Sequence, residues 1–208
     1  ATLGVTWSAT YNAMFHMTDP SIPKNAGCFR PIRIVAAPGS VTNVDYPAPE
    51  VADNTETHPR LAAIVIGALA QCMPKRAMAS ESGTGGNFVF GGYHPEHDEY
   101  FACYDLMSGG WGGRSYADGN DCAIAINGNC RFNPVEVFET RFPFLVEDYA
   151  MTPDSGGAGA FRGGLGFHKT LRATTTEITA SQCTDRHRIK TWALFGGKPG
   201  GNGATLIQ

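Results

Sequence analysis

A glycine-rich stretch near the C-terminal end reads Pro153-Asp154-Ser155-Gly156-Gly157-Ala158-Gly159-Ala160-Phe161-Arg162-Gly163-Gly164-Leu165-Gly166. Six of its fourteen residues are glycine, and the bulky residues Phe161, Arg162 and Leu165 stand at fixed places among them. A flexible linker would repeat Gly with Ser and carry no such anchors. We therefore expect an ordered loop whose backbone adopts positive φ and packs closely against a neighbour. Strand-like runs flank it, which makes an inter-strand loop the simplest interpretation and a site built on that loop the alternative.

The composition is that of a globular chain with little charge. The 208 residues are 42% hydrophobic and 17% charged, with 26 glycines and 13 prolines, which favours many turns and irregular connections. The net charge of -3 gives no general attraction to nucleic acid or to anionic lipid, so neither is an expected partner. Residues 1–17 lack a signal-peptide pattern, and the longest apolar run, residues 61–70, is too short to span a bilayer.

Six cysteines are scattered without any Cys-x-x-Cys pair. Disulfide frameworks are typical of short secreted chains, so we expect reduced thiols and a cytoplasmic protein. Cys122 and Cys130 can be imagined as a metal pair with His94 or His97, although their spacing fits no familiar zinc pattern. As lone histidines, His94, His97 and His187 are more often surface or structural residues.

The first 80 residues are predicted to be rich in helix. Apolar residues recur with helical spacing over residues 5–18 and again over residues 57–73, where the helix is apolar almost all round and is expected to be deeply buried. Pro74 ends it. Residues 30–36 alternate like a half-buried strand.

Residues 81–208 are predicted to be mostly β. A hairpin is expected from strands at 87–93 and 99–107. Residues 133–139 are predicted to form a short helix with Asn133 as its cap and Pro134 in the first turn. Further strands are predicted at 145–152, 167–174 and 176–183. The order of elements favours an α+β fold with mixed or antiparallel sheets, two or three helices and glycine-rich loops.

Several segments together carry a family resemblance. The chain resembles the C-terminal part of subunits of the hydantoinase B/oxoprolinase family, which includes the large subunits of acetone and acetophenone carboxylases. The resemblance runs in order along the whole chain, through residues 22–31, 54–57, 67–71, 108–114 with Asp118-Gly119, 133–137, 153–166, 181–188 and 192–197.

Two features depart from the family pattern. Family subunits are much longer, so residues 1–208 correspond to the C-terminal portion and the N-terminal part of such a subunit is missing. Many members also carry a run rich in His and Thr before the Asn-Pro-Val-Glu segment, where this chain has Ile126-Asn127-Gly128-Asn129-Cys130-Arg131-Phe132. The second departure points to a different substrate.

The resemblance implies ATP-dependent chemistry shared between two kinds of subunit. A hydantoinase A-type ATPase partner, using Mg²⁺, phosphorylates an amide or enol oxygen of a small-molecule substrate, and the B-type subunit completes the reaction. A divalent metal is expected in the missing N-terminal part, and no metal ligand is assigned to this chain. Because the chain has no phosphate-binding loop motif, ATP is assigned to the partner.

The resemblance leaves three functions open. The first is hydrolysis of a cyclic amide that the partner has phosphorylated, and the second is ATP-dependent carboxylation of a ketone. The third is a non-catalytic assembly module of such a complex.

Asp105 and Arg114 are the predicted catalytic residues, at the two ends of the loop that contains Gly109 and Gly110. A carboxylate at a strand end beside a glycine loop is placed to act as a base or to bind substrate, and a structural hydrogen-bonded Asp is the alternative. Arg114 can clamp a phosphate or carboxylate, or it can form a salt bridge to Asp118.

Four further residues are predicted to bind substrate. Asn54 and Glu56 either face the cleft or act as a cap pair for the following helix. Asn127 and Asn129 either donate hydrogen bonds to an oxyanion or belong to an Asn-Gly turn.

Overall fold

The computed structural model describes residues 1–207, and in them the chain forms four α-helices and five strands. The helices are α1 (Leu3–Met17), α2 (Ala26–Phe29), α3 (His58–Leu69) and α4 (Val135–Arg141). The strands are β1 (Asn87–His94), β2 (Glu99–Leu106), β3 (Phe144–Met151), β4 (Phe167–Ala173) and β5 (Ile178–Cys183). Antiparallel pairing gives one sheet in the order β2-β1-β5 and a ribbon of β3 and β4. The α+β prediction is confirmed.

Small residues bring α1 and α3 together. Ala13 of α1 and Ala62 of α3 are fully buried, and Ile66 lies beside them in the same core. The side chain of Thr2 accepts a hydrogen bond from the Val5 amide at 3.3 Å and caps α1. Alanine side chains let two helices approach closely, and this contact forms the first of two cores.

The predicted extent and burial of α3 need correction. The helix begins at His58 and ends at Leu69, and a π-helical turn, Asp53–Thr57, precedes it. Neither Asn54 nor Glu56 caps α3, because no side chain caps the turn or the helix. Ile64 is 60% exposed, so the expectation of burial on all sides is wrong.

Two local predictions are also wrong. Residues 30–36 form no strand, because no neighbouring segment pairs with them and Pro31 has no amide to donate. Asn133 does not cap α4, which starts after Pro134 without a side-chain cap. The Asn133 side chain lies instead 3.5 Å from a carboxylate oxygen of Asp105.

Aromatic side chains build the second core between the two sheets. Phe138 of α4 and Phe144 of β3 are buried with their ring centroids 5.7 Å apart, and Cys103 of β2 completes the cluster. The predicted strands of the C-terminal half are confirmed to within a few residues.

The C-terminal segment joins the helices to the β-rich part. Trp192 packs against Gly67 so closely that a Cβ there would come within 2.7 Å of the indole ring. The Ser80 amide donates to the Trp192 carbonyl at 3.1 Å, and Leu194 packs on the α1–α3 core. A domain boundary near residue 80 stays a prediction.

Candidate functional site

Residues 108–121 and 156–166 form what we call the glycine layer, in which backbone hydrogen bonds join extended segments. The Trp111 amide donates to the Asn120 carbonyl at 2.9 Å, and the Gly119 amide donates to the Arg162 carbonyl at 2.8 Å. The Gly164 amide returns to the Trp111 carbonyl at 2.8 Å. The prediction of an ordered, closely packed loop is confirmed.

Close backbone contact, and not positive φ, explains the glycines. A Cβ added at Gly112 or Gly119 would overlap a backbone carbonyl of a neighbouring segment, as would one at Gly164. Within residues 153–166 the residue with positive φ is Asp154, at 55°. The expectation that these glycines adopt positive φ is therefore wrong, and the space that a side chain needs is what excludes other residues.

Arg162 anchors the glycine layer through two carboxylates. Its guanidinium donates to both oxygens of Asp121 at 2.8 and 3.1 Å, and the Leu165 amide donates to Asp121 at 2.7 Å. The Arg162 amide donates to the Asp118 carboxylate at 2.9 Å. The side-chain hydrogen bond from Arg162, helped by the Leu165 amide, lowers the pKa of Asp121 to about 2.

Arg114 is engaged within the same layer, although not as expected. Its Nη2 donates to the backbone carbonyl of Asp118 at 2.7 Å and to the side chain of Asn120 at 3.0 Å. The Asp118 carboxylate is bound by Arg162, so the predicted Arg114–Asp118 salt bridge does not form. A role for Arg114 in holding substrate stays a prediction.

A second hydrogen-bonded network, outside the glycine layer, joins Thr55, Glu56, Asn87 and Tyr104. We call it the Asn87 cluster. The Asn87 amide nitrogen donates to Thr55 at 2.9 Å and to Glu56 at 2.8 Å. The Tyr104 hydroxyl donates to the Asn87 side-chain oxygen. Asn87 is 5% exposed, whereas Tyr104 is 52% exposed, so the network runs from the interior to the surface.

Glu56 carries the main ionisable group of this cluster. Burial raises the pKa of Glu56, opposed by hydrogen bonds from Thr84 and from the Gly85 amide, which lies 3.1 Å from its carboxylate. Burial also raises the pKa of Tyr104, and the nearby Glu56 carboxylate adds to that shift. A carboxyl group that keeps its proton to a higher pH than usual is therefore linked through the Asn87 amide to a half-exposed phenol, and a carboxyl of this kind suits proton transfer.

Two predicted substrate-binding residues meet at the edge of this cluster. The Asn127 side chain donates to the Asn54 carbonyl at 2.5 Å, and Asn54 precedes Thr55 in the same π-helical turn. Gly128 donates to Ala125 in a tight turn, as the Asn-Gly interpretation expected. The structure thus brings Asn54, Glu56 and Asn127 together.

Asp105 and Asn129 lie outside this network. Asp105 pairs with Lys169 at 2.7 Å, with both side chains at most 5% exposed, and the Lys169 ammonium sits 4.0 Å from the centre of the Phe138 ring. This geometry fits the structural alternative for Asp105, while its role as a base stays a prediction. Asn129 adopts a left-handed conformation with φ of 49°.

Glu81, Asn87 and Tyr104 were missed by reasoning from the sequence. Glu81 is 2% exposed, its Oε2 accepts a hydrogen bond from the Ile126 amide at 2.8 Å, and burial raises its pKa to about 7. It lies in a Ser- and Gly-rich loop, residues 80–86, where no periodic pattern marks burial. The motif Asn54–Thr57 was the only sequence signal near this region.

The described residues do not supply a metal site. Within residues 1–207 no group of three His, Cys, Asp or Glu side chains is placed to hold a metal ion. Cys122 and Cys130 form no such group with His94 or His97, whose rings instead stack 3.9 Å apart.

The fold and the Asn87 cluster define a glycine-rich α+β segment in which a carboxyl and a phenol are linked through one buried amide side chain. The chain belongs to the hydantoinase B/oxoprolinase family, whose profile matches residues 1–208. None of the helices in residues 1–207 has both the length and the hydropathy needed to cross a bilayer.

Two curated relatives place the chain within longer proteins. An uncharacterized protein of Methanocaldococcus jannaschii is 34% identical over 207 residues, which are 100% of this chain and 36% of the relative. The 5-oxoprolinase of Dictyostelium discoideum is 30% identical over 207 residues, 100% of this chain and 15% of that protein. The chain thus spans about a third or less of the length of these relatives.

Two solved structures share the fold. The crystal structure of ATP-dependent caprolactamase from Pseudomonas jessenii matches 80% of this chain and 30% of its own, with a TM-score of 0.71 and 28% identity. A nucleotide-free acetone carboxylase matches 98% of this chain and 28% of its own, with a TM-score of 0.75 and 21% identity. The second likeness concerns the fold alone.

Proposed function

We propose that this chain forms part of the B-type subunit of an ATP-dependent enzyme that hydrolyses a cyclic amide after a partner subunit has phosphorylated it. The observation that carries the proposal is the match of the whole chain to the hydantoinase B/oxoprolinase family, joined to the meeting of Asn54, Glu56 and Asn127. Similar proteins named for cyclic amides, 5-oxoprolinase and caprolactamase, support this class of substrate.

Within this reaction we assign proton transfer to Glu56. An amide nitrogen is a poor leaving group unless it receives a proton as the C–N bond breaks, and a positioned acid typically contributes about 10²–10⁴-fold. Glu56 keeps its proton to a higher pH than an ordinary carboxyl because it is partly buried. Asn87 fixes its orientation through the 2.8 Å hydrogen bond.

The A-type ATPase, its ATP and its Mg²⁺ are part of the same proposal, as is a divalent metal held by the rest of the B-type subunit. The large exposed surface of the chain supports the proposal that it forms extensive interfaces with partners. The chain exposes 12535 Å², whereas a compact domain of its 22.2 kDa would expose roughly 9400 Å². The excess, about 3000 Å², is of the order that obligate interfaces bury.

Two other functions remain as alternatives. Carboxylation of a ketone stays an alternative because the family that the chain resembles includes ketone carboxylases; the fold match to acetone carboxylase over 98% of the chain is compatible with it. A non-catalytic assembly role is favoured by the exposed area and by the burial of Asp105 in an ion pair.

The substrate test uses the complete subunit in complex with its ATPase partner. ATP is supplied with 5-oxoproline, hydantoin or caprolactam in one series and with a ketone plus bicarbonate in the other, and release of ADP or AMP is followed together with product. Nucleotide release that depends on a cyclic amide supports the proposal. Release that depends only on ketone and bicarbonate assigns the carboxylase reaction, and normal turnover with every variant of the Asn87 cluster leaves the assembly role.

A variant separates the role of Glu56 from phosphorylation. In Glu56→Gln, ring opening should fall by about 100-fold or more, while substrate-dependent ATP cleavage continues, because the partner performs that step. Glu136→Gln, on the exposed face of α4, is the matched control and should behave as wild type. Equal loss of both activities in Glu56→Gln would contradict the assignment.

A further inference from the structure

The loop of residues 122–130, which we call the Asn127 loop, is attached to the glycine layer through its first half. The Cys122 amide donates to the Leu165 carbonyl at 2.8 Å, and the Trp111 indole donates to the Ile124 carbonyl at 2.7 Å. These partners belong to closely packed segments with little freedom to move. The first half of the loop is therefore fixed by backbone and indole contacts that do not titrate.

The second half of the loop is attached by different means. The Ile126 amide donates to Oε2 of Glu81 at 2.8 Å, and Asn127 donates to the Asn54 carbonyl at 2.5 Å. Asn127 follows Ile126 directly, so the position of the Ile126 backbone sets where the Asn127 side chain can reach. Glu81 is thus the ionisable group that contacts the residue directly before Asn127.

The surroundings of Glu81 leave its carboxyl incompletely satisfied. It is 2% exposed, and its Oε1 has no hydrogen-bond partner. Arg60 of α3 faces it but pairs with Asp185 at 2.8 Å. Arg186 also faces it from the segment after β5.

Neither arginine donates a hydrogen bond to the Glu81 side chain. Arg186 donates to the carbonyls of Ser82 and Lys190 and to the Ser80 hydroxyl. The other carboxylate near this group is Glu56, which lies beside Arg60. The Glu81 carboxyl therefore interacts electrostatically with two arginines and accepts one hydrogen bond, from the Ile126 amide.

We propose that Glu81 is a positioning residue whose charge sets the position of the Asn127 loop, and thereby of Asn127, relative to the Asn54 turn. The inference deepens the proposed function, on which it rests. A hydrogen bond to an ionised carboxylate is roughly twice as strong as one to a neutral carboxyl, which corresponds to about a tenfold change in the equilibrium for opening that bond. Loss of the charge therefore loosens Ile126 and lets Asn127 move away from the substrate side.

The pKa of Glu81, raised by burial to about 7, places this change in the physiological range. Above that pH the carboxylate holds the Ile126 amide, and below it the neutral group holds it less firmly. The first half of the loop, attached by Trp111 and Leu165, should show no such change. The pH dependence should therefore be confined to residues 126–130.

The test is amide hydrogen exchange of the complete subunit between pH 6 and 8, corrected for the intrinsic pH dependence of exchange. Peptides that contain Ile126 should gain about tenfold protection as the pH rises through 7. In Glu81→Gln, which keeps an acceptor of the same size but does not ionise, the step should disappear. Glu96→Gln, an exposed carboxyl in the β1–β2 hairpin, should keep it.

Two outcomes would overturn the inference: a flat profile at Ile126 in the wild-type protein, or an unchanged step in Glu81→Gln. The wild-type profile decides even where the variant fails to fold. Exchange needs no substrate or ATP, so a failure here is distinct from a failure of the proposed function. Where the complex is active, the pH profile of kcat/KM should lose an inflection near pH 7 in Glu81→Gln, and the two proteins should differ most above pH 7, where the wild-type carboxylate is ionised and the glutamine is neutral.

Discussion

The glycine layer and the polar residues outside it shift the pKa values of their carboxyl groups in opposite directions. Asp121, in the layer, accepts three hydrogen bonds from Arg162 and Leu165 near solvent, and these lower its pKa to about 2. Glu81 accepts one hydrogen bond in a buried site, and burial raises its pKa to about 7. The number of donors and the loss of water decide the direction of each shift.

This contrast indicates different tasks for the two regions. The layer is held by backbone contacts and by a carboxylate that stays ionised at any physiological pH, so it acts as a fixed frame. Outside the layer, Glu81 and Glu56 have raised pKa values, so their charge changes closer to neutral pH, and they lie at or next to the predicted substrate-binding residues. Carboxyl groups whose charge changes near neutral pH are therefore supported by a glycine layer whose contacts do not change with pH.

Substitution in the frame should have the largest effect. In Gly119→Ala the added methyl group would overlap the Trp111 carbonyl, and the close pairing of the segments leaves no room to relax. We expect a loss of more than about 4 kcal/mol in the free energy of unfolding of the complete subunit, measured by urea denaturation. Gly4→Ala, in α1, is the control, because the added methyl group would meet only Thr2 Oγ1 at 3.9 Å, and it should be neutral or slightly stabilising.

The buried pair between the two sheets comes next. Asp105→Asn leaves the Lys169 ammonium buried without a counter-charge and should cost about 3–5 kcal/mol in unfolding free energy. The double variant Asp105→Asn with Lys169→Met should recover most of that loss. Restored stability with restored turnover would confine Asp105 to a structural role, whereas restored stability without turnover would support the predicted catalytic role.

Substitution of Glu81 should have a smaller effect on the free energy of unfolding, and this effect should depend on pH. Because its folded pKa of about 7 lies above the ordinary value, the folded state keeps the proton longer and wild-type stability falls as pH rises from about 4.5 to 7. The difference in unfolding free energy between Glu81→Gln and wild type should therefore rise over this window by up to about 3 kcal/mol, then stay constant. A difference that stays flat between pH 5 and 8 would contradict burial as the cause.

Asp121 should show the opposite sign in a lower pH window. Its lowered pKa stabilises the folded state above the ordinary carboxyl pKa, and this contribution is lost as pH falls through about 2. Because the pair is partly exposed, Asp121→Asn should cost only about 1 kcal/mol at neutral pH. Thermal unfolding of both proteins should converge as the pH is lowered from 4 to 2.

Much of the fold was predictable because its signals are local. The β1–β2 hairpin and the three later strands follow from alternation and turn residues that act within a few positions. Residues 30–36 show the limit of such reasoning, since alternation there has no neighbouring strand to pair with. The start of α3 was predicted to within one residue, at Thr57 against His58, whereas the π-helical turn Asp53–Thr57 before it was not predicted.

The site was predictable only in part. Asn54 and Glu56 lie in a segment that carries the family resemblance, and Asn127 was predicted from its possible role as an oxyanion donor; the structure brings these three together. Asn87 and Glu81 were not found, because their contacts join residues 31 and 45 positions apart and depend on how the loops pack. The sequence predicted close packing around the glycines. Only the structure shows that the contacts are between one backbone segment and another.

The burial of Lys169 has a consequence for chemical footprinting. With its ammonium over the Phe138 ring and against Asp105, this lysine should resist acylating reagents that modify exposed lysines such as Lys190. Its reactivity would then report when the β3–β4 ribbon separates from α4 and β2. A single mass shift at one residue would follow the opening of this half of the molecule.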